Sequence, residues 1–169
     1  MNVSEFEDAY EDVARLRGAV LETAVSELMA RDPCIVDADT SVVGAVNAMN
    51  ERHIGCVLVQ QDGKLVGIFT ERDLLRRVIF REGNRSWKVS AVMTPDPETL
   101  PPSASVAFAL NKMSVDGYRH IPIVGALGQP IGILSVKDIV HFVVDFFPEA
   151  VLNLPVDPAR GIPKTEDGA

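Results

Sequence analysis

Cysteine, histidine and long apolar runs are all scarce in this 169-residue chain. Its two cysteines, Cys34 and Cys56, lie in apolar stretches with neither Cys-x-x-Cys nor metal-type spacing. They read as reduced, buried hydrophobes of a cytosolic protein. The three histidines, His53, His120 and His141, show no His-Glu-x-x-His or comparable spacing, so no metal site is expected. The longest uncharged run, His120 to Val136, is broken by Pro122, Pro130 and three glycines, which excludes a transmembrane helix. The N-terminus is acidic without an apolar core segment, so no signal peptide is expected and the location implied is the cytoplasm. Positive charge is also in deficit. Lys and Arg total 16 against 24 Asp and Glu, a net charge of −8, which argues against a nucleic-acid binder that must neutralise phosphates. Nothing looks catalytic: there is no Ser-His-Asp set, no cysteine nucleophile in a polar setting and no Walker loop, so an enzyme is not expected.

What the chain does have is repetition. Val25–Met49 recurs as Val89–Met113 with ten of twenty-five positions identical, among them Met29/Met93, Asp32/Asp96, Pro33/Pro97 and Ser41/Ser105. One residue of extra offset restores the match at Gly67/Gly132, Ile68/Ile133 and Asp73/Asp138. A unit used twice in one small chain is one that does not bury its apolar face alone, and a ligand of such a pair is expected near the pseudo-twofold between the copies. With 47% apolar and 24% charged residues the pair has ample material for a core.

The pattern divides the chain into an N-terminal amphipathic helix (1–24), a first repeat (25–80), a linker (81–88), a second repeat (89–147) and a proline-rich extension (148–169). Ser4 with Glu7 forms a capping box for the first helix, and Phe6, Tyr10, Val13, Leu16 and Val20 recur at helical spacing. Each repeat reads β-α-β-β-α. A helical turn (Val25–Met29; Val89–Met93) leads through Asp-Pro to a short extended segment (Cys34–Val36; Glu98–Leu100). A helix capped by Ser41 or Ser105 follows, then a hairpin (Cys56–Val59 with Leu65–Phe69; Arg119–Val124 with Pro130–Leu134). A closing helix ends each copy, Glu71 to about Phe80 and Val136 to about Phe147. In the extension, the patch Val151–Leu154 is expected to dock on the body and the last ten residues to be disordered. Two charge clusters, Glu5/Glu7/Asp8/Glu11/Asp12 and Arg72/Arg76/Arg77/Arg81/Arg85/Lys88, read as solvated faces.

The junction from hairpin to closing helix carries the most chemistry. It reads Gly67-Ile68-Phe69-Thr70-Glu71-Arg72-Asp73 and Gly132-Ile133-Leu134-Ser135-Val136-Lys137-Asp138. A hydroxyl with an acid three residues on is also what a helix N-terminus wants for its own capping. Yet glycine permits close approach to the backbone, a helix N-terminus suits a phosphate, and a carboxylate one turn in can accept ribose hydroxyls. Together these describe a nucleotide cleft, and the set occurs twice.

These residues resemble the CBS (cystathionine-β-synthase-type) family, over about residues 25 to 147. The resemblance rests on Val-Ser-Glu-Leu-Met and Val-Ser-Ala-Val-Met-Thr-Pro at the starts, His-Ile-Pro-Ile-Val in the middle, and the two junctions. It implies a mixed α+β fold of two units packed through their sheets and assembled into a disc-shaped homodimer. It also implies an adenosine ligand (AMP, ADP or ATP, less readily S-adenosylmethionine or NAD) in clefts between the units, and an effector protein to regulate. By position, Asp73 and Asp138 resemble the family's ribose acids, and Thr70 and Ser135 its phosphate-contacting hydroxyls. Arg119 and His120, ahead of Ile121 and Pro122, match a place for phosphate-facing basic residues, with Arg72 and Lys137 as helpers. The first copy has Gly55 and Cys56 where the second has Arg119 and His120, so one strong site and one weak or empty site are expected. Which cleft Arg119 faces stays open. The alternative is a structural dimerisation module in which both junctions are caps alone.

Overall fold

The computed structural model describes residues 3–29, 32–81 and 86–146. The C-terminal extension with its Val151–Leu154 patch, and Arg85 of the linker, lie outside them. Helix α1 (Val3–Glu22) leads into a 3-10 turn, Val25–Leu28. It begins at Val3, so Ser4 lies inside its first turn and is not the residue preceding it. The first repeat contributes β1 (Ile35–Asp37), α2 (Val42–Arg52), β2 (Cys56–Gln61), β3 (Lys64–Thr70) and a closing segment, α3 (Glu71–Asp73), continued as a π turn (Leu74–Val78). The second contributes a 3-10 turn (Val89–Ala91), β4 (Thr94–Pro95), α4 (Val106–Asp116), β5 (His120–Val124), β6 (Pro130–Ser135) and α5 (Val136–Val144). No helix among the described residues is long and apolar enough to cross a membrane.

Local chemistry explains the shared parts. Ser41 Oγ accepts from Gly44 N at 3.1 Å and Ser105 Oγ from Phe108 N at 3.4 Å, so each mid-repeat helix starts on a hydroxyl cap. The first hairpin turns through Asp62 (φ 51°) and Gly63 (φ 76°), the left-handed pair that a two-residue Asp-Gly turn requires.

The repeats part company at two places. The first is the sheet. β1 to β4 form a four-stranded sheet in sequence order, whereas β5 and β6 form a two-stranded one. Glu98–Leu100, expected as a strand, is reduced to a parallel bridge between Leu100 and Ile123. The residues that pair instead, Thr94 and Pro95, join β3 opposite Ile68 and Gly67. The second is the closing helix. α5 is regular, but the segment expected to run as one α-helix from Glu71 to Phe80 widens after Asp73, with Ile79 N bonded to Leu74 O at 3.1 Å. The wide turn carries Arg77, whose Nη1 donates to Val92 O at 3.1 Å and also to Met93 O. The second repeat has Phe142 at the matching position, stacked edge-on against Phe146, and keeps an α-helix.

The packing units are exchanged relative to the sequence repeats. Val89 and Val92, from the turn opening the second repeat, are buried among Val42, Met49, Val57 and Phe69 of the first. Val25, from the turn opening the first, is buried among Leu100, Ile121, Ile123 and Leu134 of the second, with Leu28 and Met29 beside it. Backbone bonds follow the same exchange: Val89 N to Thr40 O at 2.7 Å, and Val25 N to Ala104 O at 2.8 Å. A third cluster, Cys56, Leu58 and Ile68 with Ile133 of β6 against it, joins the two units. Neither unit therefore has a complete core without a segment drawn from the other copy's sequence.

Candidate functional site

Both junctions fold as reciprocal capping boxes. Thr70 Oγ1 accepts from Asp73 N at 3.2 Å, while Asp73 Oδ2 accepts from Thr70 N at 3.0 Å and from Thr70 Oγ1 at 2.7 Å. In the second copy the same three distances are 3.3, 2.7 and 2.6 Å, between Ser135 and Asp138. The glycines that open the junctions are occupied in another way than expected. A Cβ on Gly67 would lie 2.2 Å from Met93 Sδ, and one on Gly132 would lie 2.0 Å from Met29 Sδ. The group that approaches each glycine is thus a methionine from the other repeat's opening turn, not a ligand. Both glycines belong to the exchange.

A cleft of about 290 Å³ opens at the first junction. Thr70, Arg72 and Asp73 line it from the first repeat, and Thr94, Arg119 and His120 from the second. Arg119 and His120 line the same cleft as Asp73. Ser135, Lys137 and Asp138 sit together at the β6–α5 junction and do not line this cleft. Ile121 and Pro122, expected at the ligand, are instead fully buried, Ile121 in the core of the second unit. Alternation along β5 places Ile121 on the core face, away from the cleft reached by His120.

The two acids differ in what they already hold. Asp73 is 6% exposed. Its Oδ1 accepts from Thr94 Oγ1 at 3.0 Å and pairs with Arg77 Nε at 3.6 Å, so both its oxygens are engaged. Asp138 is half-buried, and the described hydrogen bonds reach only its Oδ2. Sequence explains the contrast: the positions matching Thr94 and Arg77 are Ala30, without a hydroxyl, and Phe142, without a charge. Thr94 and Arg77 were missed as site residues. The Met-Thr-Pro string and the one-turn spacing from Asp73 to Arg77 were the available signals.

His120 lies between the junctions. Burial lowers its pKa, and neighbouring Arg119 lowers it further, while Asp138 and Glu71 pull in the opposite direction. Its imidazole is therefore neutral near pH 7, and the fixed cations of the cleft are Arg72 and Arg119, both exposed. Burial, with Cys34 and Glu71 nearby, pushes the Cys56 thiol up to about 12, which leaves it a poor nucleophile. Among the described residues no cluster of His, Cys, Asp or Glu is arranged to hold a metal ion.

The CBS domain family profile matches residues 25–79 and 89–145. A mitochondrial CBS domain-containing protein of Arabidopsis thaliana, CBSX3, is 36% identical over 112 residues, covering 63% of this chain and 54% of that protein. The chain thus spans about half the length of that relative. Among solved structures, the CBS domain of a CBS domain containing membrane protein from Sphaerobacter thermophilus superposes with a TM-score of 0.69 at 27% identity, covering 83% of this chain and 97% of that one. CBSX2 in complex with AMP superposes with a TM-score of 0.63 at 26% identity, covering 73% and 98%.

Proposed function

The chain belongs to the CBS-domain family, and from that premise we propose that it is a non-catalytic regulatory module for an adenosine nucleotide of the AMP, ADP or ATP class. Its ligand occupies a cleft between the repeats, and occupancy is passed on through their packing and through a homodimer to an effector protein. The observation that carries this reading is the cleft in which Thr70, Arg72 and Asp73 of one repeat meet Arg119 and His120 of the other. Hydroxyl and guanidinium groups suit phosphate, and the carboxylate suits ribose. The AMP complex of CBSX2, similar over 73% of this chain, supports the ligand class.

The wiring around Asp73 supports a route for the signal. A ribose that engages Asp73 Oδ1 competes with Thr94 and Arg77. Arg77 also holds the carbonyls of Val92 and Met93. The ligand therefore acts on the turn that completes the first core, and an arrangement with that turn released binds it better. The test is a thermal-shift titration against AMP, ADP, ATP, S-adenosylmethionine and NAD. A ligand at a hundred times its Kd adds about 2.7 kcal/mol, roughly 5–10 °C for a chain of this size. A panel without any shift, on protein free of carried-over nucleotide, refutes the reading.

The saturated carboxylate of Asp73 favours a second reading, a structural dimerisation module whose boxes are caps alone. Asp138→Asn and Asp73→Asn separate the two. As caps, each costs about 0.5–2 kcal/mol of stability with no ligand affected; as nucleotide acids, they abolish the ligand-induced shift.

A further inference from the structure

We infer that two carboxylates, Glu71 and Asp96, limit the ligand of the inter-repeat cleft to a single phosphate. The inference rests on the nucleotide reading above and divides what that reading leaves together, the mono-, di- and triphosphates. The cleft is lined by four acids, Glu71, Asp73, Asp96 and Glu98, against two fixed cations, Arg72 and Arg119. Two of the acids are already neutralised. Asp73 pairs with Arg77 at 3.6 Å, and Glu98 with Lys112 at 2.8 Å. Among the described residues, Glu71, Asp96, Arg72 and Arg119 enter no ion pair, and all four are exposed. With the His120 imidazole neutral near pH 7, the free charges of the cleft are two guanidiniums and two carboxylates.

The Glu71 carboxylate is seated by Gly55. Glu71 N donates to Gly55 O at 3.0 Å, and a Cβ on Gly55 would stand 3.3 Å from Glu71 Oε2. From there the carboxylate acts on His120, opposing the burial that lowers the imidazole's pKa, so its charge is felt at the start of β5. By sequence the counterparts of Gly55 and Glu71 are Arg119 and Val136, so this acid and the notch that seats it occur in one copy only. Asp96 follows β4 directly. Its left-handed backbone (φ 44°) is fixed by a bond from its N–H to Val66 O at 3.2 Å. A monophosphate carries about −1.5 to −2 charge at pH 7, which two guanidiniums match by charge-assisted hydrogen bonds. Each further phosphate adds charge that no other free cation of the lining meets and that Glu71 and Asp96 repel. Size acts in the same direction: about 290 Å³ lies at the lower bound of ligand clefts, about 300–1,000 Å³.

Isothermal titration of the full chain with AMP, ADP and ATP tests this, in EDTA at about pH 8, where the phosphates are fully ionised. Affinity should fall with each added phosphate. Glu71→Gln and Asp96→Asn each remove one charge and keep the side chain's shape. Each should raise ATP affinity about fivefold, the effect of a unit charge about 4 Å away in water. AMP affinity should rise by less, so the AMP-to-ATP ratio narrows in both variants. Melting should stay close to that of the parent, because both side chains are exposed and asparagine tolerates a left-handed backbone. Should Asp96→Asn disturb the turn, Asp96→Gly removes the same charge and accepts the same φ. ATP that binds the parent as tightly as AMP, with or without added magnesium, refutes the inference alone. An AMP-to-ATP ratio that both variants leave unchanged does the same, and nucleotide binding itself then stands. A parent that binds none of the three refutes the nucleotide reading and this inference with it.

Discussion

The two junctions of this chain share a sequence pattern and a backbone fold but not an electrostatic setting. Thr70–Asp73 and Ser135–Asp138 make the same three hydrogen bonds to within about 0.3 Å. Around the first, Thr94 and Arg77 complete the carboxylate's contacts, and Arg119 with His120 stands across the cleft. For the second, the positions that correspond in sequence to Thr94 and Arg77 hold alanine and phenylalanine. The lesson is that duplication preserved the part of the motif that starts a helix. The part that decides what a carboxylate can bind diverged.

The largest way to break the comparison is at the exchanged methionines. Gly67→Ala would place a Cβ within 3.0 Å of Met93 Sδ, Cε and Cγ, whereas Gly132→Ala brings only Met29 Sδ so close. Overpacking of this kind costs about 1–3 kcal/mol. Gly67→Ala is expected at the upper end and Gly132→Ala at the lower, since a single sulfur can swing away. Urea unfolding reads both. Met93→Ala should recover part of the Gly67→Ala loss, giving a coupling energy of at least about 0.5 kcal/mol in a double-mutant cycle. Equal losses at the two glycines, or strict additivity, would show that the exchange does not hold the units together.

Arg77→Met is the next largest. It removes the partner of a buried carboxylate and the donor to Val92 O and Met93 O, while keeping the stem that packs in the turn. The Arg77 side chain is 42% exposed, so solvent screening trims its electrostatic worth. A loss of about 1–2 kcal/mol is expected, mostly from the unsatisfied acceptors. The same substitution leaves Asp73 Oδ1 with Thr94 as its one described partner, removing one of the two competitors of a ribose. Nucleotide affinity should therefore rise even as stability falls, a pairing that isothermal titration alongside urea unfolding will detect. If affinity falls with stability, Arg77 is a ligand contact and not a competitor.

Much of this was legible in the chain. The repeat gave the order β-α-β-β-α, and Ser41, Ser105 and Asp62-Gly63 gave the caps and the first turn, because those features act within a few residues. The exchange of opening turns was not legible: Val25–Met29 reads equally well as packing on either copy, and only the three-dimensional closure decides. The same limit applied to Ile121 and Pro122. They flank the basic pair in sequence, but strand alternation turns Ile121 to the core. The π turn escaped too, since Leu74–Val78 has ordinary helix residues, and the widening accompanies Arg77 reaching a backbone carbonyl some fifteen residues away.

The smallest effect expected is a dependence on pH, and it tests whether His120 belongs to the phosphate's surroundings. Its pKa in the fold is lowered, chiefly by burial, so the unfolded chain takes up a proton first as pH falls through about 6.5. Stability contributed by the neutral ring is thus complete above that pH and is lost below it, down to the folded-state pKa. A bound phosphate near the ring favours the charged form and opposes the shift. Affinity should then rise as pH falls below about 6.5, by no more than tenfold per pH unit for one proton. His120→Gln should remove both trends relative to the parent: a flatter melting temperature in acid and a flatter affinity profile. The comparison with the variant is essential, because a nucleotide phosphate titrates near pH 6 on its own. Residual slope in the variant belongs to the nucleotide, and only the difference belongs to the histidine. Parallel affinity profiles would leave His120 as a half-buried strand residue and Arg119 as the phosphate partner at the start of β5.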